Sequence, residues 1–225
     1  RRNHWMMVGM VCLTMAAQAS AEWVGGWWVY PYKNFATNLK NYRPLSATEK
    51  GLCVSDWYIH DVPINQKGLQ IGATGVTPNY SWAYRWAAVW HCELKGVWRS
   101  GPGAHTDFIR VYGQWNQDVP TTLLFQDIYI HDGDGIPMLI QDGKFDKITL
   151  KDIRVKNTTV CLQIAMINTG SVGTIVIDHC PNMSIAIMGR PGSIGTVYVK
   201  NSPGLRVSDV LNVKGKSGAK VVYVN

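Results

Sequence analysis

Helical spacing is what this 225-residue chain lacks most: no window offers a convincing stripe of apolar residues at i, i+3, i+4, i+7. Its basic residues are scattered, with no Lys/Arg run, no zinc-finger spacing and no helix-turn-helix, so nucleic acid is not an expected partner. No Cys-x-x-Cys occurs and no His/Cys pair has ligand spacing, which removes a structural zinc site from the expectations. Tryptophan is missing from the second half of the chain that remains after residue 21, because all ten lie at or before Trp115.

Long apolar runs are also missing. The one near the start, from Trp5 to Leu13, follows Arg1-Arg2 and precedes Ala19-Ser20-Ala21. It is too short to span a bilayer, so no membrane span is expected. A basic start, an apolar middle and an A-x-A site describe a secretory signal peptide over residues 1–21, and hence a secreted or periplasmic protein of bacterial type. Removing Arg1 and Arg2 takes Lys plus Arg from 22 to 20 against 15 acids, leaving +5 where the whole chain has +7. A modest positive excess suits an anionic partner such as an acidic polysaccharide.

What is present is a repeat. Leu124-Phe125-Gln126-Asp127-Ile128, Thr149-Leu150-Lys151-Asp152-Ile153, Val176-Ile177-Asp178-His179-Cys180 and Tyr198-Val199-Lys200-Asn201-Ser202 share one order of apolar, variable and polar residues. Cys53-Val54-Ser55-Asp56-Trp57 and Ala88-Val89-Trp90-His91-Cys92 fit the same frame. A second short apolar run follows each copy, as in Ile109-Arg110-Val111, Leu162-Gln163-Ile164 and Ile185-Ala186-Ile187. Self-similarity at this period signals a solenoid or propeller, and the last units are too short for four-stranded blades. Each copy is best satisfied by pairing in parallel with its neighbour one coil away, about 4.8 Å distant. The expected fold is therefore all-β, a right-handed parallel β-helix of about six coils over residues 51–225. Residues 22–50, crowded with Trp23, Trp27, Trp28, Tyr30 and Tyr32, read as an aromatic N-terminal cap.

The frame also bears on the cysteines. Cys92 and Cys180 share one inward position three coils apart, on the order of 14 Å, too far for a disulfide. Cys53, Cys92, Cys161 and Cys180 are expected as buried thiols filling the core.

From anchor residue to second strand, the distance falls along the chain: Asp127 to Ile140, Asp152 to Ile164, His179 to Ile187 and Asn201 to Val207 are successively shorter. Long excursions cluster on the early coils, where function in a solenoid usually lies. There stand His105-Thr106-Asp107 and His131-Asp132-Gly133-Asp134-Gly135. Aligning Val111 with Ile140 sets Asp107 beside Ile136 and His105 beside Asp134. A histidine and neighbouring carboxylates on one edge have the ingredients for proton transfer, with His105, Asp107 and Asp134 as catalytic candidates. Asp132 and Asp134 offer oxygens of the kind Ca²⁺ takes; equally, Asp beside Gly is what tight turns require. Alternation points Trp82, Tyr84 and Trp86 to one side if that stretch is extended, either core or a platform for sugar rings. Trp98 is a further aromatic candidate, Arg110 is a candidate for gripping a sugar carboxylate, and Tyr112 is a candidate for substrate binding beside it.

The repeated frame and the His105-Thr106-Asp107-Phe108-Ile109-Arg110-Val111 segment resemble the pectin-lyase-like superfamily of right-handed β-helices. That resemblance implies carbohydrate-active enzymes, chiefly lyases and hydrolases of acidic polysaccharides, together with surface and phage proteins that bind without catalysis. Gly192-Ser193-Ile194-Gly195 resembles part of a polygalacturonase signature, but Arg190-Pro191 stands where Gly-His-Gly would, and no Asp-Asp pair lies upstream. Two expectations follow: an exported enzyme acting on an acidic polysaccharide over coils two and three, or a non-catalytic β-helix that binds glycans or serves as a surface module.

Overall fold

A computed structural model describes residues 22–24, 27–29, 51–55, 57–60, 62, 64, 67–71, 86–101, 106–112, 121–158, 161–212 and 214–224. Residues 1–21, read as the export leader, lie outside this set. The strands are β1 (Glu22–Val24), β2 (Trp27–Val29), β3 (Gly51–Ser55), β4 (Tyr58–Ile59), β5 (Leu69–Ile71) and β6 (Trp86–Lys95). After them come β7 (Asp107–Tyr112), β8 (Thr121–Gly133), β9 (Ile136–Gln141), β10 (Lys144–Thr158) and β11 (Leu162–Met166). The last are β12 (Ser171–Asp178), β13 (Ser184–Gly189), β14 (Ile194–Lys200), β15 (Arg206–Asp209) and β16 (Lys220–Val224). No helix occurs among the described residues.

Two sheets organise these strands. One runs β16-β14-β12-β10-β8-β6-β3, the other β1-β2-β5-β7-β9-β11-β13-β15. Every pairing from β3 onward is parallel except β2 with β5. Alternate strands in sequence joining alternate sheets is the connectivity of a parallel β-solenoid. Of the six coils expected, about four turns run between Thr121 and Asn212, and β3 to β7 carry the same sheets further toward the N-terminus. Within the segment expected as a cap, β1 and β2 form an antiparallel pair that meets β5 through Val29 and Ile71.

The core is a set of rows. Leu123, Ile148, Ile175 and Val197 pair in register, as do Phe125, Leu150, Ile177 and Val199, all at most 3% exposed. Period-two alternation sends these inward and their neighbours outward, and each such side chain removed from water contributes roughly 1.5–3 kcal/mol. Cys92 pairs with Ile128 and Ile128 with Ile153, the inward row the repeat frame assigned to them.

The polar residue that recurs in the sequence turns out to be a corner. His91, Asp127, Asp152, His179 and Asn201 have φ of 50°, 51°, 54°, 52° and 44°, the left-handed region. Other side chains pay roughly 1–2 kcal/mol there, whereas Asn, Asp and His are the non-glycine residues that enter it most readily. A second left-handed column holds Gly96, Asp132, Asn157, Asn182 and Gly204. From first column to second the chain takes five residues at His91–Gly96, Asp127–Asp132 and Asp152–Asn157, but three at His179–Asn182 and Asn201–Gly204.

This step has a structural result. The early turns fit a short strand between the two corners, where β4, β6, β8 and β10 pair side by side. In the later turns only Cys180-Pro181 and Ser202-Pro203 fill the interval. β10 therefore pairs with both β8 and β12 up to Lys151, then from Ile153 to Thr158, among the described strands, with β8 alone.

Candidate functional site

The sheet that runs β16-β14-β12-β10-β8-β6-β3 presents aromatic and basic residues on its outward side. On β6, Ala87 and Val89 are buried, so Trp86 and Trp90 project the other way, and Trp90 is 45% exposed. Four residues of strand set them about 13 Å apart. In register, Trp86 leads to Thr122 and Lys147, while Trp90 leads to Gln126 and Lys151. Farther along the same rows come Lys220 and Lys200, with Asp178 as the acid among their described members. Two indole faces beside two ammonium groups suit a ligand that offers both ring faces and negative charge.

Beyond the first corner lies a second outward facet. Here Tyr58 and Glu93, Glu93 and Tyr129, and Tyr129 and Arg154 are register partners, and His131 sits between Lys95 and Lys156. His131 stacks on Tyr129 at 4.3 Å, and the Arg154 guanidinium lies 5.3 Å from the Tyr129 ring centre. The His131 ring reaches Asp132 through Nδ1 at 2.8 Å and Glu93 of the preceding turn through Nε2 at 3.0 Å. Imidazole flanked by carboxylates is a proton-handling arrangement, and it also ties two turns together. Asp132 is held below its ordinary carboxylate range, first by the hydrogen bond that Asn157 donates at 2.8 Å, then by His131.

A third polar group is buried on the other sheet. Asp107 has 0% exposure and accepts from Arg110 at 2.8 Å. Arg110, 6% exposed, also donates to the Tyr112 hydroxyl and to Gln141 at 2.7 Å, and its guanidinium lies 4.2 Å from the Tyr112 ring centre. Burial pushes the Tyr112 phenol up from its ordinary value. Gln141 in turn donates to the buried Asp142, which caps the backbone amide of Asn168 at 2.9 Å. Asp107 and Arg110 balance each other's charge, and Asp142 is met by amide donors from Gln141, Asn168 and Thr169, as buried ions require.

The residues singled out from sequence are thus distributed over separate parts of the solenoid. Asp107 does pair in register with Ile136, as the Val111–Ile140 alignment requires. His105 and Trp82 lie outside the described residues. Asp134 accepts from the Arg99 backbone amide at 2.6 Å and faces its guanidinium at 3.7 Å, while Asp132 turns to Asn157 and His131. With those partners the two carboxylates do not fit a Ca²⁺ cage, and among the described residues no group of three or more His, Cys, Asp or Glu side chains could hold a metal ion. Trp98, 48% exposed, follows the second corner at Gly96 and does not share the Trp86 face.

Trp90 and the His131–Glu93 contact were not among the sequence candidates. Trp90 was visible in the alternation from Trp86, whereas Glu93 and His131 are 38 positions apart and meet only once the coils stack. Cys161 corrects the expectation of a core thiol: its neighbour Leu162 points inward, leaving Cys161 partly exposed, while Cys92 and Cys180 are buried. It lines a cleft of about 370 Å³ together with Val155, Asn157, Thr158, Asn182 and Ser184.

Comparison with known proteins finds no matching family model, no matching curated protein and no matching solved structure.

Proposed function

We propose that this chain is an exported, non-catalytic β-helix protein that holds an acidic polysaccharide against the outward side of the sheet running from β16 to β3. The observation carrying this reading is the pair Trp86 and Trp90 on one strand face, with Lys147 and Lys151 in the same two rows. Indoles stack on sugar rings and the ammonium groups meet carboxylates, so the surface recognises a charged glycan along its length. The resemblance to the pectin-lyase-like superfamily supports the same partner class and a secreted or periplasmic location. The burial of Asp107 against Arg110 favours binding over catalysis, since neither group is presented to solvent.

Affinity electrophoresis in polygalacturonate, with a neutral glucan as control, tests it. Retardation in the acidic gel alone, weakened about tenfold by Trp90→Ala, is the expected outcome. Equal mobility in both gels would end this reading.

One observation favours a second reading, a lyase or hydrolase of the same polymer: His131 held between Glu93 and Asp132. An enzyme would release unsaturated or reducing ends from polygalacturonate at a rate abolished by His131→Ala. Binding without either product disposes of it.

A further inference from the structure

The interval between the two corner columns drops from five residues to three after Asn157, and the short strand that fills it in the early turns has no successor. Among the described residues, 153–158 of β10 therefore form a ladder on one side only, with β8, while on the other side the Ile153 backbone amide already meets the Cys180 sulfur. The inward row Ile59, Leu94, Ile130 is at most 1% exposed, yet Val155, next in that row, is only partly buried. The cleft of about 370 Å³ opens along this ledge, with Val155, Asn157 and Thr158 on the strand side and Asn182 and Ser184 opposite. It occupies the level at which one more strand would lie.

We propose that residues 154–158 form a strand-addition site for an extended peptide segment of a partner protein, one that alternates apolar and acidic residues. An unpaired strand edge supplies backbone donors and acceptors, and pockets for alternate side chains supply selectivity. The inward position beside Val155 takes an apolar side chain that completes the Ile59–Leu94–Ile130 row. The outward positions lie beside Arg154 and Lys156, both exposed, with Lys95 two strands away; acidic side chains there gain cross-strand attraction. A second copy of this chain is disfavoured on the same ground, because its own edge would bring Arg154 and Lys156 against like charges. This site is independent of the polysaccharide face, which lies on the other side of the first corner.

The full chain and synthetic peptides test it. A fluorescent Glu-Val-Glu-Val repeat peptide should bind, a Lys-Val-Lys-Val peptide should not, and occupancy should slow alkylation of Cys161 at the cleft severalfold by site-resolved mass spectrometry. Two further peptides, N-methylated at the odd or at the even amides, should differ: one loses at least about tenfold in affinity and the other keeps it, since an added strand uses alternate amides. Arg154→Glu combined with Lys156→Glu should reverse the preference between the acidic and basic peptides. The proposal is overturned if the acidic peptide fails to bind, if the two methylated peptides behave alike, or if Cys161 alkylates at the same rate with peptide bound. Competition of the acidic peptide by self-association of the chain would assign the edge to a second copy and also overturn it.

Discussion

The turns before Cys161 and the turns after it share the same inward rows, yet they differ in one interval. Between corner columns the early turns spend five residues and the late turns three. Five leave room for a strand; three leave Cys180-Pro181 or Ser202-Pro203, and a proline brings no N–H to a ladder. From that difference come the additional facet carrying Tyr129, His131, Arg154 and Lys156, the ledge where the facet stops, and the cleft beside it. The late turns keep the packed rows and lose the chemistry. A solenoid can thus vary one side of its cross-section while the sheets that hold it together continue unbroken, because each strand is satisfied by its immediate neighbours.

The largest expected effect contrasts the depth of the two regions. Phe125 is 1% exposed in the early turns, and Phe125→Ala should cost about 3–5 kcal/mol in urea unfolding. Val221 lies on the outermost strand and is only partly buried against the core, so Val221→Ala should cost on the order of 1 kcal/mol. Equal losses would mean that the stack is not graded from middle to end.

Corner chemistry comes next. Asp152→Val places a β-branched residue at φ 54° and should lose about 1–2 kcal/mol, while Asp152→Gly should lose little or nothing. His179→Gly in the late turns should behave as Asp152→Gly does, since both residues stand in the first left-handed column and bend the chain the same way. If valine is tolerated as well as glycine, the left-handed corner is not what the repeated polar residue provides.

The smallest effect concerns pH. Asp132 titrates below its ordinary value of 3.8, with the Asn157 hydrogen bond as first cause. A carboxylate depressed in the folded state contributes stability that is present above its unfolded value and lost as pH falls through the folded one. Asn157→Ala should therefore raise the Asp132 pKa toward 3.8, followed by carboxyl carbon NMR. It should also reduce the extra acid sensitivity that the early turns carry. An unchanged titration would remove the inter-turn bond from the account.

Much of this was legible in the sequence, for physical reasons. Stacking like on like makes register a matter of alignment, so Val111 beside Ile140 led to Asp107 beside Ile136. The shortening from Asp152–Ile164 to His179–Ile187 already showed that the late turns are narrower. The role of the anchor residues was hidden, because Asp, Asn and His serve equally as catalysts and as left-handed corners. The second column was harder still, since Gly96, Asp132, Asn157, Asn182 and Gly204 share a backbone conformation and not a side-chain type. Contacts across turns, such as Glu93 to His131, have no local signal at all. Tryptophan placement was half legible: Trp86 and Trp90 follow from alternation, but Trp98 leaves their face because Gly96 turns the chain between them.

Amide hydrogen exchange along β8 and β10 tests the central claim most directly. With strands on both sides, residues 128–131 should be protected throughout, whereas in residues 154–158 alternate amides should exchange at least tenfold faster than their neighbours, as an open edge requires. Uniform protection across 154–158 would show that the edge is already paired, and would contradict the account of how the early and late turns differ.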